Sequence, residues 1–278
     1  MFDSPRGERF CAVSSVVEQC FYTAKVGGSN PSPRIVEIKI LYEDEDFLVV
    51  NKPAGLMVHG DGRSSEPTLV DWLLRERPEI KDVGEPLVLT NGQKIGRHGL
   101  VHRLDKGTSG VLAVAKNQTA FDYLKHLFQK RKVEKIYHAI LSGEMNRDDG
   151  IIEKPIGRST HDFRKKTVGL SIAGKEREAV TFYRVLARGR GLSFVEFIPK
   201  TGRTHQIRVH AKFLGYPVLG DSLYGKKQAS ESDIGRMALH AREISFVNQA
   251  GRKISVIAPY PEDFETVLKS SFAGKLRF

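Results

Sequence analysis

Leu100-Val101-His102-Arg103-Leu104-Asp105-Lys106-Gly107-Thr108-Ser109-Gly110 is the stretch whose reading decides the fold. An apolar pair, Leu100 and Val101, runs into a cluster of charge, and a second apolar run, Val111 to Val114, leads out of it. Gly107, Ser109 and Gly110 are turn formers, so the pattern predicts strand, tight loop, strand. Asp105 is the one carboxylate of the stretch, with Arg103 and Lys106 beside it. A carboxylate among cations is favoured in its charged form, which suits a nucleophile or base better than a general acid. A surface turn with a local ion pair has the same composition. The loop alone leaves the two roles equally open.

His102 to Gly110 resembles the signature loop H-R-L-D-x-x-T-S-G of the RluA-type pseudouridine synthases, which turn uridine in structured RNA into pseudouridine. The resemblance implies that Asp105 is the catalytic aspartate. Lys52-Pro53-Ala54-Gly55 is similar to the K-P-x-G motif of that family, although Pro53 and Gly55 also simply end a strand. Lys135-Ile136-Tyr137-His138-Ala139 resembles K-x-Y-x-A and implies that Tyr137 is the active-site tyrosine. A tyrosine there can stack on a base and its hydroxyl can move a proton; alone it would read as strand packing. Thr201-Gly202-Arg203-Thr204-His205-Gln206-Ile207-Arg208-Val209-His210 resembles T-G-R-x-H-Q-I/L-R-x-H and implies that Arg208 pairs with the aspartate. A bidentate arginine would orient Asp105 and hold its charge. Gly215 to Gly225 and Leu239-His240-Ala241 are also family-like.

The similarity extends from about Glu37 to Phe264. It implies an α+β fold: a large mixed, mostly antiparallel sheet in two halves, with flanking helices and a central active-site cleft. It implies RNA as partner, with large-subunit rRNA and tRNA both open as the target, no cofactor and no metal. Lys52, His102, Arg103, Lys106 and Arg203 are the expected RNA contacts, with Arg103 filling the gap left in the stack by an everted base. A rival from another class is a non-catalytic RNA-binding or ribosome-assembly protein on the same scaffold. It predicts loss of the set Asp105, Tyr137 and Arg208, and all three are present.

Composition narrows the classes independently. Lys and Arg number 44 against 33 Asp and Glu, a net charge of +11, which argues for a polyanionic partner without separating RNA from DNA or an anionic membrane surface. No run approaches the roughly 18 apolar residues of a membrane helix, and no apolar segment follows the first basic residues as a signal peptide requires. The two cysteines, Cys11 and Cys20, leave everything from Phe21 onward without a thiol. That excludes a cysteine nucleophile or Cys-based zinc site there and suits a reducing cytoplasm. A monomer is expected. His98 with His102, and His205 with His210, do not have the spacing of a recognised metal-ligand set. No serine sits on a strained elbow, and no second acid stands out to pair with Asp105.

Residues 1–36 read as a poorly structured segment with no S4 domain, and 37–278 as the catalytic domain. Ser14 to Gln19 and Gly28-Ser29-Asn30-Pro31 resemble conceptual translation of a transfer-RNA gene. The segment is therefore either an ordinary loose tail or upstream of a true start near Ile35 to Ile38, a choice the genomic DNA settles. Strands are predicted at Ile38–Tyr42 and Phe47–Lys52 around a turn at 43–46, then at Val133–Ile140, Val180–Leu186, Leu192–Ile198, Ala238–Phe246 and Lys253–Ala258. Helices are predicted at Thr68–Arg77, Asn117–Arg131, Gln206–Phe213 and Glu262–Ser270. Asp82–Gly99 and the basic stretch Ile151–Lys166 read as loops.

Overall fold

The computed structural model describes residues 20–23, 35–60, 66–88, 92, 94–225 and 234–275. The chain opens with strand β1 (Cys20–Thr23), paired antiparallel to the start of β2 (Ile35–Glu43). The rest of the segment expected to pack loosely lies outside the described residues. Strand β2 turns into β3 (Phe47–Lys52) through a bend in which the Asp44 carboxylate accepts the amides of Asp46 and Phe47. Such a side-chain turn is what Asp offers at a hairpin.

Helix α1 (Leu69–Glu76) starts at Thr68, whose hydroxyl accepts the Asp71 amide while Asp71 accepts the Thr68 amide. This reciprocal cap satisfies two amides that a helix start leaves unpaired. Trp72, within the helix, is fully buried. A two-residue hairpin, β4 (Leu87–Val88) with β5 (Lys94–Ile95), interrupts the stretch expected to be irregular. The signature stretch then yields only one strand, β6 (Ser109–Ala115), where two were expected. Leu100 is buried but lies in a turn: its amide donates to the Arg97 carbonyl, and Gly99, at φ 76°, bonds across to Ala115. Burial without ladder pairing made it look like a strand.

Helix α2 (Gln118–Gln129) is capped by Asn117. Beyond it come β7 (Glu134–Ser142) and β8 (Asp149–Glu153). The next segments, β9 (Ile156–Ser159), β10 (Lys166–Thr167) and β11 (Ile172–Arg177), form a separate sheet in the order β10-β9-β11. Half of the stretch Ile151–Lys166 expected to be a loop is therefore strand, in runs too short for a clear alternation. A long hairpin, β12 (Val180–Gly189) with β13 (Leu192–Pro199), leads to α3 (Gln206–Phe213), then β14 (Leu239–Val247), β15 (Lys253–Ile257) and α4 (Glu262–Phe272).

Among the described residues ten strands make one sheet, in the order β1-β2-β3-β6-β14-β7-β13-β12-β8, with β15 beside β14. Every pairing is antiparallel except β6 with β14, which touch at His240–Ser109 and Ala241–Gly110. Each half has its own core: Phe47, Trp72 and Phe121 in one, Phe194, Phe197 and Phe264 in the other. Tyr137 packs against both. Gly110 is what lets the halves meet. Its φ is 113°, and a Cβ there would lie 2.1 Å from the Ala241 carbonyl oxygen, so only glycine fits.

Candidate active site

At the junction of the halves is a cleft of about 550 Å³, walled by the loop 101–105, the end of α2, Tyr137 on β7, and residues 199–208. Asp105 is part-exposed on its floor. Its Oδ2 accepts from Arg208 Nη1 at 2.9 Å. Arg208 is held from behind by Asp221, with Nε to Oδ2 at 2.6 Å and Nη2 to Oδ1 at 2.9 Å. Asp221 has no exposed side-chain surface and also accepts the amides of Leu223 and Tyr224. The guanidinium lies 5.0 Å from the Tyr224 ring centroid. Burial opposes the charge on each partner. The hydrogen bonds prevail, raising Arg208 further above the usual arginine range and holding Asp221 below that of a free aspartate.

The loop before α3 is rigid for a local reason. Gln206 Oε1 accepts from the Thr201 hydroxyl and the Arg203 amide, and its Nε2 donates to the Val180 carbonyl and Thr181 Oγ1. His205 adopts a left-handed φ of 60°, an uncommon conformation for a non-glycine residue. Its Nε2 lies 3.9 Å from Asp105 Oδ2 while Nδ1 meets the Tyr224 hydroxyl at 2.9 Å. Gln206 to Ala211 are all buried, so the part of α3 that carries Arg208 is held by packing.

The Asp105 loop is fixed from the other half. Thr108 donates its amide to the Asp105 carbonyl, and Ser109 Oγ meets His240 Nδ1 at 2.9 Å. Lys52, fully buried, directs its Nζ to the carbonyls of Pro53, Leu56 and Lys106 at 2.8, 2.8 and 3.3 Å. The expectation that Lys52 meets RNA phosphate is thus corrected: it has no exposed surface and ties the K-P-x-G turn to the loop. Burial pushes its ammonium down to about 7, against the pull of Asp105.

The remaining expected residues fall into two groups. Arg103 is exposed at the cleft edge, and Arg203 lines the cleft with Nε on the Glu178 carbonyl. Tyr137 is half-buried on the cleft wall. Burial, then the charge of Asp105, raises its hydroxyl above the usual phenol range, so it stays protonated. His102 lines the cleft, but its Nε2 accepts the Ala113 amide and its ring stacks on Phe128 at 4.7 Å. Burial, then Lys135, pushes it down to about 3, so the ring is neutral. Lys106 turns away, 2.6 Å from Glu66.

Three groups at the site, two on the cleft wall and one behind it, escaped the sequence reading. Lys135 and Lys200 supply cations on the wall, and burial, then Lys200, brings Lys135 down to about 8. Asp221, the anchor of Arg208, stood in a quoted family-like stretch without a role; a lone Gly-Asp carries no local signal of burial. Among the described residues no three His, Cys, Asp or Glu side chains converge as a metal site. His98 and His210 each bond backbone carbonyls instead.

Comparison with known proteins places the chain in a family. Residues 46–213 match the family of RNA pseudouridylate synthases. An uncharacterised RNA pseudouridine synthase of Synechocystis is 37% identical over 84% of this chain and 68% of its own length. The ribosomal large subunit pseudouridine synthase D of Pseudomonas aeruginosa is 39% identical over 82% of this chain and 70% of its own. Human RNA pseudouridylate synthase domain containing 1 superposes with a TM-score of 0.65 at 31% identity, covering 81% of this chain and 84% of that one. A shared family, a shared fold and an acid–guanidinium pair at the sheet junction lead to one conclusion: the chain belongs to the RluA-type RNA pseudouridine synthases, isomerases that act on RNA.

Proposed function

We propose that the substrate is large-subunit ribosomal RNA and that Asp105 carries the chemistry on a uridine turned out of the RNA stack. The observation that carries this reading is the 2.9 Å contact between Asp105 and Arg208 at the floor of an open cleft. The substrate class rests on the relatives named for the large subunit. A base stacked in folded RNA is out of reach of a side chain, so it must be everted first. Arg103, exposed at the edge, fills the space it leaves. Arg203, Lys135 and Lys200 counter the phosphates. Tyr137, protonated, packs against the uracil.

Asp105 then acts as nucleophile on the base or sugar, or as the base that removes a sugar proton to give a glycal; both routes fit the geometry. Either way the N1–C1′ bond breaks, the uracil turns in place, and C5 bonds to C1′. C5 loses a proton and N1 gains one, so atoms and electrons balance with no oxidant, energy source or metal. Arg208 keeps the attacking oxygen oriented and offsets its charge. The enzyme works as a cytoplasmic monomer in this reading. The retention of Asp105, Tyr137 and Arg208 together argues against a purely binding role.

The test is pseudouridine mapping, by mass spectrometry, of transcribed large-subunit rRNA treated with the wild type or with Asp105→Ala. Loss of at least about 10³-fold in rate is expected of the variant. Near-normal activity of that variant would sink the assignment of the acid. Modification of tRNA instead of rRNA would overturn the substrate.

A further inference from the structure

Residues 154–177 hold seven Lys or Arg against two acids, a net +5 of the +11 carried by the whole chain. They fold as the small β10-β9-β11 sheet. Between that sheet and the end of α3 is a second concavity, of about 340 Å³, whose walls include His161, Lys165, Lys166, Lys212, Phe213 and Tyr224. The one acid on its wall, Asp162, is already gripped by Arg164 at 2.9 and 3.0 Å. Asp162 also lies 3.9 Å from Lys165 Nζ, and burial with the nearby Arg158 and Arg177 disfavours the charge of Lys166, so cations outnumber acids here. Two aromatic residues are exposed here, one of them Phe213 on the wall itself, with Lys154 Nζ 5.7 Å from its ring centroid. Phe163, in the turn between β9 and β10, is 73% exposed, and Phe213 is 47% exposed.

Neither ring contributes much to a core from there. Basic grooves flanked by exposed aromatic rings are what single-stranded RNA needs: cations for the backbone and flat faces for unpaired bases. The concavity is also next door to the cleft. Tyr224 forms its inner wall, and the same ring lies under Arg208 while its hydroxyl meets His205 and receives the Lys166 amide at 2.7 Å.

We propose that this concavity holds the RNA strand beside the everted uridine, with Lys165 and Lys212 on a backbone phosphate and Phe163 stacked on an unpaired base of the same loop. The proposal rests on reading the Asp105 cleft as the uridine site. Binding of transcribed large-subunit rRNA, measured between about 50 and 200 mM salt, tests it with Phe163→Ala and with the double variant Lys165→Ala, Lys212→Ala. Phe163→Ala should weaken Kd about ten-fold with an unchanged salt slope. The double variant should lower the salt slope by about one to two. Unchanged thermal unfolding shows that each variant is folded. Wild-type Kd and slope in both variants would overturn the proposal, as would failure of the wild type to bind the transcript. Failure of the catalytic reading looks different: Asp105→Ala would still make pseudouridine, whatever the docking variants do.

Discussion

The two walls of the cleft are built in opposite ways. Arg208 comes from the buried first six residues of a helix, with its guanidinium locked by a carboxylate that has no exposed surface. Asp105 comes from a loop without regular structure, between two exposed cations, with 21% of its side chain open. The rigid wall therefore aims the open one. Preorganisation placed behind the reacting group, with access left in front of it, lets a charged site stay oriented without closing it to RNA.

Removing the rigid wall should do the most damage. Arg208→Ala leaves Asp221 buried without its partner, and breaking a buried pair costs about 3–5 kcal/mol. Chemical denaturation should show that loss together with near-complete loss of pseudouridine formation. A variant as stable as the wild type would mean that the pair is not the anchor.

Asp221→Asn probes the same wall through pH. The folded protein holds Asp221 below its unfolded value of about 3.9, so its stabilisation is present above that value and lost as pH falls through the folded one. The gap in unfolding temperature between wild type and Asp221→Asn should be full at neutral pH and close in strong acid. A gap independent of pH would break the comparison.

The open wall should respond least. Lys106 is half-exposed and paired with Glu66 at the surface, so Lys106→Ala should change stability by no more than about 0.5 kcal/mol. If the residue also meets phosphate, the salt slope of RNA binding falls by about one. A stability loss of several times that size would show that the loop is as rigid as the helix.

The same contrast explains what the sequence made legible. The helices expected from Thr68, Asn117 and Gln206 onward are carried by local signals and emerge at those places. Asp105 and Arg208 were named together because nine- and ten-residue motifs carry them, and they meet at 2.9 Å. Three features were not legible. Leu100 and Val101 look like a strand but turn instead, because Gly99 closes onto Ala115. The β9–β11 sheet is masked by the shortness of its strands. Lys52 was aimed at phosphate, and nothing local says that a lysine will end on three carbonyls.

Gly110 has one more consequence. Where β6 crosses β14, main chain rests on main chain with no side chain between them to repack. A weld of this kind, and not a hinge, would keep the gap between the halves at a set width. Deformation then falls to the nucleic acid, and a uridine in a strained or looped segment yields at lower cost than one locked in a regular stem. Selectivity among uridines would in that case be a mechanical property of the RNA as much as a chemical property of the enzyme.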